Sequence, residues 1–86
     1  MFKNQGSGII ELDIHGMTKY QAQVFINSKL KQAKSDIYII RVVHGYRGGT
    51  ELRDMVRKVY KKHPKVKRVE LGLNPGVTNL ILRDLY

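Results

Sequence analysis

Two short stretches hold the residues able to do chemistry. Leu12-Asp13-Ile14-His15-Gly16-Met17-Thr18 sets a carboxylate and an imidazole two positions apart. Val43-His44-Gly45-Tyr46-Arg47-Gly48-Gly49-Thr50 sets a second histidine ahead of a glycine-rich turn. Residues two apart on a strand project to the same side, so Asp13 can hold the His15 ring in one tautomer and stabilise its charged form. Spacing alone equally allows Asp13 to cap a turn beside an ordinary loop histidine. His44 ends the second strand much as His15 ends the first. Two facing histidines can divide base and acid in phosphodiester cleavage, with the RNA 2′-hydroxyl as nucleophile and no metal. A strand-end histidine bonded to backbone is an even match for that reading of His44.

The loop Gly45 to Thr50 runs directly into a helix N-terminus, whose free N–H groups suit an anion. It is not a Walker A loop, because the glycine spacing differs and no lysine precedes Thr50. Arg47 at its tip can grip a phosphate with two hydrogen bonds, and Tyr46 can stack on a base. Asp13, His15 and His44 could ligate a divalent cation such as magnesium, but no second carboxylate clusters with them as a two-metal nuclease requires. A metal is optional in this reading, and no ligand set is assigned.

The pattern around these stretches reads β-α-β-α-β-β. Ile10, Leu12 and Ile14 alternate with Glu11 and Asp13, the mark of a half-buried strand. Thr18 with Gln21 forms a capping box for a helix to about Lys34, and Ile37 to Val43 is β-branched enough for an interior strand. Thr50 caps a second helix in which Leu52, Met55, Val56, Val59 and Tyr60 recur at core-facing spacing. It stops near His63, ahead of Pro64. Lys67 to Gly72 and Val77 to Arg83 form a hairpin around Leu73-Asn74-Pro75-Gly76.

Two right-handed crossovers running the same way put both helices on one face. The expected architecture is an α/β two-layer sandwich with a four-stranded mixed sheet. Its first three strands are parallel and its last antiparallel. Their C-terminal loops, Asn74 to Thr78 included, then share one edge, the usual ligand edge of an open sheet. Glu11, Asp13, Arg41, Arg68, Glu70 and Arg83 fall on the open face.

The 86 residues make one domain over 8–86, after a flexible start at 1–7. There is no cysteine, hence neither a disulfide nor a thiolate metal site. No apolar run reaches bilayer length and the start lacks a signal-peptide core, which predicts a cytoplasmic protein without membrane contact. Sixteen Lys plus Arg stand against 7 acids, a formal charge of +9 that predicts a nucleic-acid partner. Arg57, Lys58, Lys61, Lys62, Lys65, Lys67 and Arg68 cluster past the middle of the second helix, at the pole opposite the loops. Some of these basic groups complement the helix dipole.

Leu12-Asp13-Ile14-His15-Gly16 with Thr18 resembles the LDxH motif of the Smr domain, the small MutS-related domain. His44-Gly45 and the glycines after it resemble that family's second motif, and Asn74-Pro75-Gly76-Val77-Thr78 its closing glycine-rich turn. The match runs from about residue 8 to 84. It departs in the second motif, where the next glycine comes one residue late, and in the closing turn, where Asn74-Pro75 replaces a glycine pair. The resemblance implies a βαβαββ fold similar to the C-terminal domain of translation initiation factor 3. It also implies nucleic-acid binding, often with DNA-nicking or RNA-cleaving activity, in a stand-alone member. Carried over by position, Asp13 and His15 are catalytic candidates and Gly45 and Gly48 approach the phosphate. The closing turn adds Asn74, Gly76 and Thr78.

The expected function is thus a monomeric nucleic-acid-binding endonuclease acting on RNA or nicking DNA. Asp13, His15 and His44 carry its chemistry, and Gly45, Tyr46, Arg47, Gly48, Gly49 and Thr50 hold phosphate. The rival is a non-catalytic RNA- or DNA-binding module, and a third reading is a protein-interaction domain using the open sheet face.

Overall fold

The computed structural model describes residues 2–4, 8–46, 49–72 and 74–84. Its elements are β1 (Phe2–Asn4), β2 (Ile9–Asp13), α1 (Lys19–Gln32), β3 (Ile39–Val43), α2 (Glu51–Tyr60), β4 (Arg68–Leu71) and β5 (Val77–Ile81). The sheet runs in the order β1-β2-β3-β5-β4. β2 and β3 are parallel, and β5 is inserted between β3 and β4, antiparallel to both. β2, β3 and β4 therefore point the same way, as the four-stranded mixed sheet with two helices requires. The short strand β1 is an addition that no periodicity announces: it pairs antiparallel with β2, Phe2 opposite Leu12.

Strict alternation in β2 and β3 buries Ile10, Leu12, Ile40 and Val42 under the helices and leaves Glu11, Asp13 and Arg41 half-exposed on the other face. Ala22, Ile26 and Leu30 from α1 and Met55, Val56 and Tyr60 from α2 complete a single core. Val59 does not join it; 40% exposed, it sits just off the buried stripe. The α1 N-terminus is closed by the reciprocal Thr18–Gln21 box.

The α2 N-terminus is different. Thr50 occupies the cap position, but its hydroxyl donates to Asp54 Oδ2 at 3.0 Å and accepts nothing from the backbone. The expected side-chain cap is thus absent, because a carboxylate one turn on is the stronger partner for the hydroxyl.

Candidate functional site

The site is assembled by the sheet register. Asp13 pairs with Val43 across β2 and β3, and Val43 pairs with Val77 across β3 and β5. The segments beyond these three residues therefore start from one line at one rim. Beyond β2, Ile14 continues the ladder by donating its N–H to Val43 O at 2.9 Å. Beyond β3, the N–H groups of His44 and Gly45 both donate to Gly76 O, at 2.9 and 3.0 Å. The first strand's loop touches the second's as well: a Cβ built on Gly45 would lie 3.7 Å from the Cβ of His15. Gly45 itself has φ +76, a left-handed conformation that a side chain disfavours.

At this rim the Asp13 carboxylate oxygen Oδ1 lies 2.5 Å from His15 Nδ1 and also accepts the His15 backbone N–H at 3.1 Å. Partial burial works to raise the Asp13 pKa, but the hydrogen bonds and charge of His15 overcome it and hold the carboxyl below its ordinary value. The His15 side chain is 71% exposed, with its ring held through Nδ1. His15, Gly16, Met17, His44, Tyr46 and Leu52 are among the residues lining a cleft of about 550 Å³ between the β2–α1 loop and the start of α2. Glu51 also lines it, so one carboxylate stands where an incoming phosphate must compete with it.

His44 is placed quite differently. It is only 5% exposed, and both ring nitrogens are occupied, Nδ1 by Gly45 O and Nε2 by Thr78 Oγ1, each at 2.8 Å. Burial pushes its pKa down; the hydrogen bond to Gly45 works the other way, and the Arg57 charge adds to the lowering. The structure leaves His44 no free nitrogen to serve as the counterpart of His15.

Tyr46 is exposed beside the turn, and Gly49 and Thr50 lead into α2. Asn74 closes its own turn by accepting the Gly76 N–H at 2.8 Å, and Thr78 is buried behind it. Arg47 and Gly48 lie outside the described residues.

One functional candidate belongs here that the sequence reading put elsewhere. Arg57, grouped above with the opposite basic pole, donates from Nε to Thr78 Oγ1 at 3.0 Å. Arg53, one turn earlier, acts on the same His44 ring through its charge, although it also pairs with Asp54. Their i, i+4 spacing on α2 was the signal available; it marks a shared face but not which face.

Among the described residues no group of three or more His, Asp or Glu side chains is disposed to hold a metal ion. None of their helices is long and apolar enough to cross a membrane.

The comparisons agree with this geometry. The family model of the Smr domain matches residues 12–76, from the start of the first motif to the closing turn. The crystal structure of the Smr domain of Thermus thermophilus MutS2 superposes with a TM-score of 0.77 at 25% identity, covering 86% of this chain and 98% of that one. No curated protein matches. The matched span covers most of the chain, from the first motif through Gly76 of the closing turn, and the chain belongs to the Smr domain family, whose members bind nucleic acid and in some cases nick it.

Proposed function

We propose that this protein is an Smr-type endonuclease that binds nucleic acid at the rim cleft and cleaves phosphodiester bonds, with RNA favoured over DNA. The observation that carries the reading is the Asp13–His15 pair: an imidazole locked through Nδ1 to a carboxylate, on a residue that lines the cleft. A group so oriented is a general base with its proton-accepting nitrogen already aimed.

On RNA, His15 Nε2 takes the 2′-hydroxyl proton and the 2′-oxygen attacks the adjacent phosphorus. The bond from phosphorus to the 5′-oxygen breaks, and that oxygen leaves as a hydroxyl after taking a proton from water. The products are a 2′,3′-cyclic phosphate and a 5′-hydroxyl, and the imidazolium returns its proton to solvent. Asp13 stabilises the imidazolium while it lasts. The N–H groups at Gly49, Thr50 and the first turn of α2, which the Thr50 side chain does not cap, support a phosphate at the cleft. Arg47 and Gly48 are assigned to phosphate binding from their place in the sequence, Tyr46 stacks on a neighbouring base, and Asn74 and Gly76 shape the turn. His44 and Thr78 act from behind and take no proton from the substrate. A divalent cation such as magnesium is assigned no ligands.

The test is incubation of purified protein with end-labelled single-stranded RNA and with supercoiled plasmid, with and without magnesium, beside His15→Ala. Wild type should release product and His15→Ala should fall to background. Equal, background product from both would overturn the enzymatic reading and leave the non-catalytic binding module, provided the RNA is still bound.

A further inference from the structure

The hydrogen bonds around His44 can run in only one direction. A carbonyl oxygen only accepts, so the Nδ1 facing Gly45 O carries the proton. In the neutral ring Nε2 is then an acceptor, and the Thr78 hydroxyl must donate to it. The hydroxyl's own lone pair receives the Arg57 Nε–H, a group that cannot accept. The result is a polarised chain from a permanent cation on α2 through β5 and β3 to one peptide carbonyl at the cleft.

That carbonyl belongs to a residue beside His15: a Cβ built on Gly45 would lie 3.7 Å from the His15 Cβ. The Gly45 backbone is held at both ends, its N–H by Gly76 O and its carbonyl by the His44 ring. Building on the cleavage reading above, we propose that Arg57 and Thr78 are positioning residues for this site. Through His44 they fix the Gly45 backbone, and with it the place of the His15 ring. Neither touches the substrate.

Three features of the arrangement make this more than a buried contact. The chain has fixed donors at one end and a fixed acceptor at the other, so it selects one His44 tautomer. It crosses three elements, so local propensity cannot supply it. And it requires an arginine in particular: the Nε–H lies in a rigid plane, whereas a lysine ammonium would bring charge without that direction.

The test reads the His44 ring directly. In protein with nitrogen-15 in its histidines, the ring shifts report tautomer whether or not the protein cleaves anything, and the His44 signals are those missing from His44→Gln. Wild type at neutral pH should show the neutral Nδ1–H form. Thr78→Val, which removes the hydroxyl and keeps the shape, should mix the two tautomers, and Thr78→Ser should restore one. Arg57→Lys should mix them too, and serves alone if Thr78→Val fails to fold.

In RNA cleavage, Thr78→Val should lower kcat by about ten- to a hundredfold through misplacement of His15, with KM within about threefold because no phosphate contact is lost. Thr78→Ser should recover the rate. An Nε2–H tautomer in wild type would overturn the proposal, and so would an unchanged tautomer in both Thr78→Val and Arg57→Lys. Wild type that cleaves nothing would instead defeat the cleavage reading, while the ring nitrogens still decide the positioning one.

Discussion

Lys65 sends its ammonium across from the loop after α2 to donate to the Leu30 carbonyl at the end of α1, at 2.8 Å, with Lys31 O at 3.5 Å beyond it. The last carbonyls of a helix have no partner within it, and a cation there also meets the negative end of the dipole. One member of the basic cluster is therefore a helix cap. Lys65→Met should cost about 1 kcal/mol in denaturant unfolding, and RNA affinity should be almost unchanged, since the ammonium is already committed. An affinity loss without a stability loss would show that Lys65 serves the ligand.

Tyr60, the last residue of α2, joins it to the middle of α1. Its hydroxyl donates to Asn27 Oδ1 at 2.7 Å while the ring is fully buried, and burial pushes the phenol pKa up to about 12. A phenol with a raised folded-state pKa contributes stability that is complete below its unfolded value, near pH 10. That contribution fades as pH climbs toward 12. Wild type should thus lose stability more steeply than Tyr60→Phe in thermal melts between about pH 9.5 and 11.5. At neutral pH the substitution itself should cost about 1–2 kcal/mol, because Asn27 loses its donor.

The fold was legible because its strands alternate or run apolar and its α1 cap is written in adjacent letters, Thr18 and Gln21. The approach of His15, Gly45 and the Asn74 turn was legible too, since parallel strands must end at one edge. Pairings between distant residues were not. Nothing in Thr78 or Arg57 announces that they meet His44, and the helix face of Arg57 follows only once β5 is known to lie between β3 and β4. Gly8 makes the same point from the other side. Placed where the domain begins, just after the flexible start, it carries φ +85, and a Cβ there would meet the Tyr38 ring at 2.3 Å. Its carbonyl receives the N–H groups of Tyr38 and Ile39.

The charge excess predicts its own signature. Binding of single-stranded RNA should weaken linearly on a log–log plot against salt, by about 0.7 per phosphate contacted. Lys61→Gln with Lys62→Gln, exposed just past the end of α2, should flatten that slope only if the strand spans both poles of the molecule. An unchanged slope would confine the contact to the rim. Fluorescence anisotropy at several salt concentrations decides between them.

Asp13 offers the sharpest separation of binding from chemistry. Its carboxylate orients His15 from 2.5 Å, yet as an anion next to a residue that lines the cleft it also repels phosphate. Asp13→Asn keeps an oxygen able to accept both His15 N–H groups and removes only the charge. RNA binding should therefore hold or tighten slightly, while cleavage falls by about a hundredfold or more as the imidazolium loses its counter-charge. The two effects have opposite signs, so a general loss of structure cannot produce both. Single-turnover cleavage beside anisotropy on the same protein would measure them; parallel losses in the two would show that Asp13 merely holds the loop.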